Sequence, residues 1–251
     1  MKSLEHQVRE GLIQSYVDEA YKQTQEPEYH SRVNTFLRTM LDSISENLSN
    51  DENFKDEFPK EEIAERITEL RSEIEGQISS LYTNPEAFKQ QIHQQVQQGY
   101  MTKKQWKAQF RKLYKELGLE TNTISRFQEV NEKLYGFLDL QDTVVKELTK
   151  IAGREGIEKA LTAETQNEVT RALFPTKEEY VAHTLGGIQF MNEYIAQVQQ
   201  VVMKDEGLEM KGQILRAVCG GIQTAIEEFK KMTEQATKDK ILKNAQEIYG
   251  A

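Results

Sequence analysis

The sequence predicts an all-α fold, a multi-helix bundle of about eight to ten helices in two packed helical subdomains, with no β-sheet. Only four prolines interrupt the 251 residues, so long stretches are free to form helices. Apolar residues recur along these stretches at steps of three and four, which places them on one face of a helix. Capping residues stand at several segment ends, so local chemistry and periodicity indicate the same structure.

The N-terminal subdomain is predicted to cover residues 1–118. It opens with two amphipathic helices and an exposed acidic linker, at about 3–24, 28–48 and 49–59. From Lys60 onward, one apolar stripe indicates a single long helix. The stripe consists of Ile63, Ile67, Leu70, Ile74, Ile78 and Leu81.

Capping residues define the next two helices. Asn84 is predicted as an N-cap, followed by Pro85 at the first helical position, where the missing N–H of proline costs no hydrogen bond. Thr102 is predicted to cap a basic helix over residues 102–117, which ends at Gly118.

The C-terminal subdomain, residues 119–251, contains the most regular apolar pattern. Its seam has a period of 3.5 residues, which suits a helix that packs lengthwise against another helix or against a second copy of the chain. The seam residues are Phe127, Val130, Leu134, Phe137, Gln141, Val144, Leu148 and Ile151. We expect the polar Gln141 to set register or oligomeric state, with a catalytic amide beside Asp142 as the alternative. A homo-oligomer through residues 127–151 is therefore a prediction.

Two residue pairs with the spacing of a capping box are predicted to open helices in this subdomain. They are Ser125 with Gln128 and Thr176 with Glu179. The helix after the second pair is predicted to run to about Asp205, and another from about residue 208 to Tyr249.

Charge is distributed unevenly along a chain whose formal net charge is −9. Residues 42–75 contain twelve acidic and four basic side chains, whereas the only charged side chains of residues 103–115 are cations. We expect this basic helix to bind a protein partner; its own acidic segment, a nucleic acid and a membrane surface are the alternatives. The candidate partner-binding residues are Lys103, Lys104, Trp106, Lys107, Arg111, Lys112 and Lys115.

A short motif with paired glycines occurs twice, as LGGIQ at 185–189 and as CGGIQ at 219–223. Glycine inside a helix costs about 1 kcal/mol relative to alanine. We therefore expect a compensating feature, either close packing of two helix backbones or a flat ligand against the glycines.

The segment VAHTLGGIQF around the first pair resembles the glycine-containing helix over the haem of haem oxygenases. That resemblance implies an alternative function, a helical-bundle enzyme or ligand-binding protein with a pocket at 183–191 and 216–223. Its cofactor contacts would be His183, Gly186 and Gly187.

The main functional expectation is a non-enzymatic protein-interaction protein, adaptor-like or regulatory, without a metal or a cofactor. The sequence contains no HExxH, CxxC, P-loop or GxGxxG pattern and no Glu-x-x-His pair. Cys219 is the only cysteine, which excludes an intramolecular disulfide and fits a reducing compartment. The first ten residues lack the apolar core of a signal peptide, and no apolar run approaches the roughly 20 residues that cross a bilayer. A cytoplasmic location is therefore expected.

Overall fold

The computed structural model describes residues 3–26, 28–55, 57–203 and 210–250, and every regular element in these ranges is an α-helix. The all-α prediction is therefore confirmed for this part of the chain, with nine longer helices and two helices of four residues. In chain order the helices are α1 (Leu4–Thr24), α2 (Tyr29–Asn50), α3 (Glu52–Lys55), α4 (Lys60–Thr83), α5 (Pro85–Gly99), α6 (Lys103–Leu117), α7 (Thr121–Glu155), α8 (Ile157–Ala160), α9 (Ala163–Leu173), α10 (Lys177–Met203) and α11 (Met210–Tyr249). None of these helices has the combined length and apolar content needed to cross a bilayer.

Side-chain caps form at three of the predicted helix starts. The Oδ1 atom of Asn84 accepts a hydrogen bond from a backbone N–H in the first turn of α5, at 3.2 Å. Thr102 and Gln105 form a reciprocal capping box at the start of α6. Thr176 and Glu179 do the same before α10, with donor–acceptor distances of 3.2 and 3.3 Å. These ends are encoded locally, because each cap needs only residues three apart.

The predicted capping box at Ser125 and Gln128 is wrong. Helix α7 begins at Thr121, four residues earlier, and the Ser125 hydroxyl donates to the Thr121 carbonyl at 3.0 Å. Serine inside a helix commonly bonds the carbonyl one turn back, so the same residue type fits a cap and an interior position. Gly118, with a φ of 67°, ends α6 in the left-handed conformation and leaves only a short connection before α7.

The segment predicted as an exposed acidic linker, residues 49–59, is partly buried. It contains α3, whose Phe54 is 8% exposed and belongs to a hydrophobic cluster with residues of α2 and α4. The rings of Phe54 and Phe58 stack with centroids 4.9 Å apart. Two isolated aromatic residues give no periodic signal, although each removes a large apolar area from water when it packs.

Three hydrophobic clusters hold the described helices together. The first, around Leu148, joins α1, α7, α8 and α9. The second, around Leu41, joins α2, α3, α4 and α11, and the third, around Tyr114, joins α6, α7, α10 and α11. All three clusters include residues from each side of the predicted boundary at residues 118 and 119. The division into two subdomains stays a prediction.

Helices α10 and α11 run antiparallel to each other. The rings of Tyr180 and Tyr249 lie 6.0 Å apart at one end of the pair, and Val201 shares a cluster with Leu215 at the other end. The predicted ends at Asp205 and residue 208 fall outside the described residues. Helix α2 packs along α11, so α11 contacts two long helices, α2 and α10.

Candidate functional site

A groove of about 800 Å³ lies between α10 and α11, with one wall residue contributed by α2. Its apolar lining residues are Phe36, Leu185, Ile188, Ala196, Ile226 and Phe229. Three of these large side chains remain well exposed: Leu185 at 37%, Ile188 at 40% and Phe229 at 37%. Adjacent exposed apolar side chains in a concave surface are typical of a binding site.

Short side chains also line the groove. Ala196 lies on the α10 side, and Thr233 and Thr237 lie one turn apart on α11. The Thr233 hydroxyl donates to the Phe229 carbonyl at 2.8 Å, so its polar group is satisfied within its own helix. The two helices are held together beyond the groove by contacts at both ends of the pair. The middle of the pair therefore stays open while its ends are packed.

The rim of the groove has a carboxylate on each wall. Glu193 on α10 accepts a hydrogen bond from the Gln189 amide at 2.8 Å, and Glu227 on α11 accepts one from the Gln223 amide at 2.9 Å. Within the described ranges, neither carboxylate forms an ion pair with a cation. A neutral amide supplies no positive charge to either carboxylate.

The groove lining also includes side chains of both charges on α11. Lys238 donates to Glu234 at 2.7 Å, and this hydrogen bond lowers the pKa of the Glu234 carboxyl. Lys230 also lines the groove there. Glu193 and Glu227 are thus lining carboxylates that form no ion pair with a described residue.

The residues predicted as cofactor contacts lie beside aromatic rings. The His183 ring centroid is 4.7 Å from that of Phe174 and 5.7 Å from that of Phe137. A Cβ on Gly187 would lie 3.5 Å from Phe137, an ordinary contact, whereas a Cβ on Gly186 would meet no atom within 4 Å. None of the three predicted residues lines the groove. A cofactor at these positions stays a prediction.

One glycine of the second pair, Gly221, allows close packing of two helices. A Cβ on Gly221 would lie 2.7 Å from the backbone oxygen of Met40 and still closer to the Ile44 side chain. Helix α11 therefore approaches the α2 backbone at a distance that only glycine allows. The two pairs share a sequence motif and have different surroundings.

The basic helix α6 packs its aromatic face against α7. The rings of Trp106, Phe110 and Tyr114 form a stack with successive centroids 5.5 and 6.1 Å apart, and Tyr114 continues it to Phe127 at 5.6 Å. The indole nitrogen of Trp106 is buried and has no hydrogen-bond partner among the residues that the structure describes. The single tryptophan predicted to contact a partner is thus half-buried within the chain.

Two of the predicted partner-binding cations contact α7 and not the acidic segment at residues 42–75. Lys103 pairs with Asp139 at 2.9 Å, and the Lys107 ammonium lies 4.6 Å from the centre of the Tyr135 ring. The other four predicted cations are exposed, namely Lys104, Arg111, Lys112 and Lys115. Of these, Lys112 pairs with Glu116 in its own helix, at 3.6 Å. Lys104, Arg111 and Lys115 form no ion pair with any described residue.

A buried polar network that the sequence did not suggest joins α6, α7 and α10. Asn131 is 1% exposed; its amide nitrogen donates to the Tyr114 hydroxyl at 2.8 Å, and its oxygen accepts from the Tyr194 hydroxyl at 2.6 Å. Burial raises the pKa of both tyrosines to about 12. Asn131 follows Phe127 by one turn and precedes Tyr135 by one turn, which is the only sequence signal that could have placed it in the core.

The predicted seam residues of α7 are all buried or half-buried by other helices of the same chain. The most buried stripe is rotated slightly from the seam and consists of Phe127, Asn131, Tyr135, Leu138, Val145, Leu148 and Ala152. Gln141 is half-buried, whereas its neighbour Asp142 pairs with Arg9 of α1 at 2.8 Å. The seam is used within the chain, and a homo-oligomer through it stays a prediction.

Replacing the buried amide of Asn131 is expected to lower the free energy of unfolding more than replacing the amide of Gln141, which is predicted in the seam. Asn131→Leu should lower the free energy of unfolding by about 1–2 kcal/mol, because it leaves the two tyrosine hydroxyls without their partner. Gln141→Leu should change it by less than about 0.5 kcal/mol or raise it, because the Gln141 side chain makes no hydrogen bond with a described residue. Urea unfolding of both variants makes the comparison, and equal losses would contradict it.

Comparison of the chain with protein-family models, with curated protein sequences and with solved structures gives no significant match.

Proposed function

We propose that this chain is a non-enzymatic protein-interaction protein that binds an amphipathic helix of a partner in the groove between α10 and α11. The observation that carries the proposal is the open apolar lining, in which Leu185, Ile188 and Phe229 are each more than a third exposed. An amphipathic helix would cover these side chains with its own apolar face.

The length of the groove suits a short helix. Its lining on α10 extends from Leu185 to Ala196, and eleven residues at the rise of an α-helix span about 17 Å. A partner helix of about three turns would cover this length and present apolar residues at positions i, i+3 or i+4, and i+7. These anchors would pack against the side chains of Ile188, Ile226 and Phe229.

The charge of the groove specifies the flanks of that helix. Glu193 and Glu227 stand on opposite walls, and each is hydrogen-bonded only to a neutral amide among the described residues. A lysine or arginine on either side of the apolar stripe would neutralise them. Such rim pairs contribute mainly to the association rate and to the choice of partner.

Two observations favour binding over catalysis. Cys219 is 7% exposed, and burial raises the pKa of its thiol, so the neutral and poorly nucleophilic form dominates. The groove is open along its length, whereas a small-molecule site usually encloses most of its ligand. A role in the reducing cytoplasm is part of the proposal and is supported by the single cysteine.

Selection of helical peptides from a displayed library tests the proposal. The library carries random side chains on one face of short amphipathic helices, and the folded protein is the target. We expect enriched peptides with an apolar i, i+3 or i+4, i+7 stripe flanked by lysine or arginine, and helix formation on binding by circular dichroism. Enrichment of peptides without this stripe, or no enrichment at all, would contradict the proposal.

A further inference from the structure

A second cleft, of about 470 Å³, lies at the corner where α6 ends and α7 begins. Its walls include the cations Arg111 and Lys115, and its apolar lining includes Tyr114, Leu119 and Ile124. Tyr114 and Leu119 are 5% and 9% exposed, so the apolar part of the cleft belongs to the core. The cleft therefore combines a fixed apolar floor with exposed positive charge.

The cations at this corner form a row along α6. Lys104, Arg111 and Lys115 are separated by seven and four residues, which places them on one side of the helix. All three are exposed, and none forms an ion pair with a described residue. In contrast, Lys103 pairs with Asp139.

The position of α6 is set by its inner face, so the row of cations has a fixed location. Tyr114 stacks on Phe127 and accepts a hydrogen bond from Asn131 at 2.8 Å. A helix fixed in this way orders its ligand-facing side chains at a smaller entropic cost than a mobile segment would. The guanidinium of Arg111 can also bind a carboxylate through two parallel hydrogen bonds.

We infer that this corner binds an acidic peptide segment of a protein partner. One apolar side chain of the segment occupies the cleft beside Leu119 and Ile124, and flanking carboxylates pair with Arg111 and Lys115. Lys104 extends the positive surface by two turns for further carboxylates. This surface is separate from the groove between α10 and α11, and it recognises the opposite charge.

Charge and aromatic placement favour a peptide over a nucleic acid. Proteins that bind single strands stack bases on exposed aromatic rings, but Trp106, Phe110 and Tyr114 stack on one another in the α6–α7 interface. The formal net charge of −9 also opposes the binding of a long polyanion, whose charge is not confined to the corner. A short acidic segment needs only the local positive charge.

A display experiment with short random linear peptides tests the inference. The groove variant Ile188→Glu/Phe229→Glu is the target of the selection, so that peptides that prefer the groove are not enriched, and affinities of the enriched peptides for the wild-type protein are then measured by fluorescence anisotropy. We expect peptides in which aspartate or glutamate flanks a large apolar residue. Their affinity should fall about 10-fold or more in Arg111→Glu/Lys115→Glu. The matched control, Lys240→Glu/Lys243→Glu, makes the same charge change at exposed positions of α11 and should leave the affinity within about 2-fold.

Three outcomes would overturn the inference. The enriched peptides could lack an acidic excess, they could bind Arg111→Glu/Lys115→Glu as well as the wild type, or a single-stranded oligonucleotide could bind the corner more tightly than any acidic peptide. Binding of the acidic peptides should persist in Ile188→Glu/Phe229→Glu, which alters only the groove. The two proposals therefore succeed or fail separately.

Discussion

Gly221→Ala is expected to lower the free energy of unfolding by about 3 kcal/mol, the upper part of the range for overpacked cores. The added Cβ would lie 2.7 Å from the Met40 backbone oxygen, and a helix backbone cannot move aside as a flexible side chain can. Helices α2 and α11 would have to separate along their shared interface. Urea unfolding followed by circular dichroism measures the loss, with the denaturant dependence expected to stay unchanged.

Gly186→Ala is the matched control for that experiment. Gly186 occupies the first glycine pair in α10, and a Cβ there would meet no atom within 4 Å. Alanine is the better helix former, so this substitution should raise stability by up to about 1 kcal/mol. Equal effects at the two positions would show that α11 does not approach α2 as described.

The double variant Ile188→Glu/Phe229→Glu is expected to weaken binding of the selected helical peptide by about 100-fold or more. Both side chains line the groove from opposite helices, and glutamate would place a charge against the apolar face of the ligand. The added negative charge would attract the basic flanks of the peptide, so the measured loss is a lower bound on the apolar contribution.

Met191→Glu/Met232→Glu controls for charge and for exposed apolar area on the same two helices. Met191 and Met232 are 51% and 52% exposed, and neither lines the groove. The peptide affinity of this variant should stay within about 3-fold of the wild type. A loss as large as that of the groove variant would show that the peptide binds the helices without using the groove.

The sequence predicts those parts of the fold that depend on near neighbours in the chain. Asn84, Thr102 and Thr176 cap their helices as predicted, because each cap needs only a residue within the first turn. The residues buried by α7 are less well predicted. Asn131 lies in the core and Gln141 only beside it, because the 3.5-residue seam and the true buried stripe differ by a small rotation of the helix.

The groove and the α6–α7 contact could not be predicted, because they depend on residues far apart in the sequence. Phe36 comes from α2, while Leu185 and Phe229 come from α10 and α11. Lys103 pairs with Asp139 of α7, although the strongest negative charge of the sequence lies at residues 42–75. Charge alone does not say which acidic residue the fold brings close.

The most direct test of the helix-binding groove is methyl NMR spectroscopy with the selected helical peptide carrying a spin label. Paramagnetic broadening falls steeply with distance, so it reports where the peptide lies. We predict broadening of the methyl signals of Leu185, Ile188 and Ile226, with those of Leu113 and Ile124 unaffected. Broadening confined to Leu113 and Ile124, at or near the α6–α7 corner, or signals unchanged throughout would contradict the proposed function.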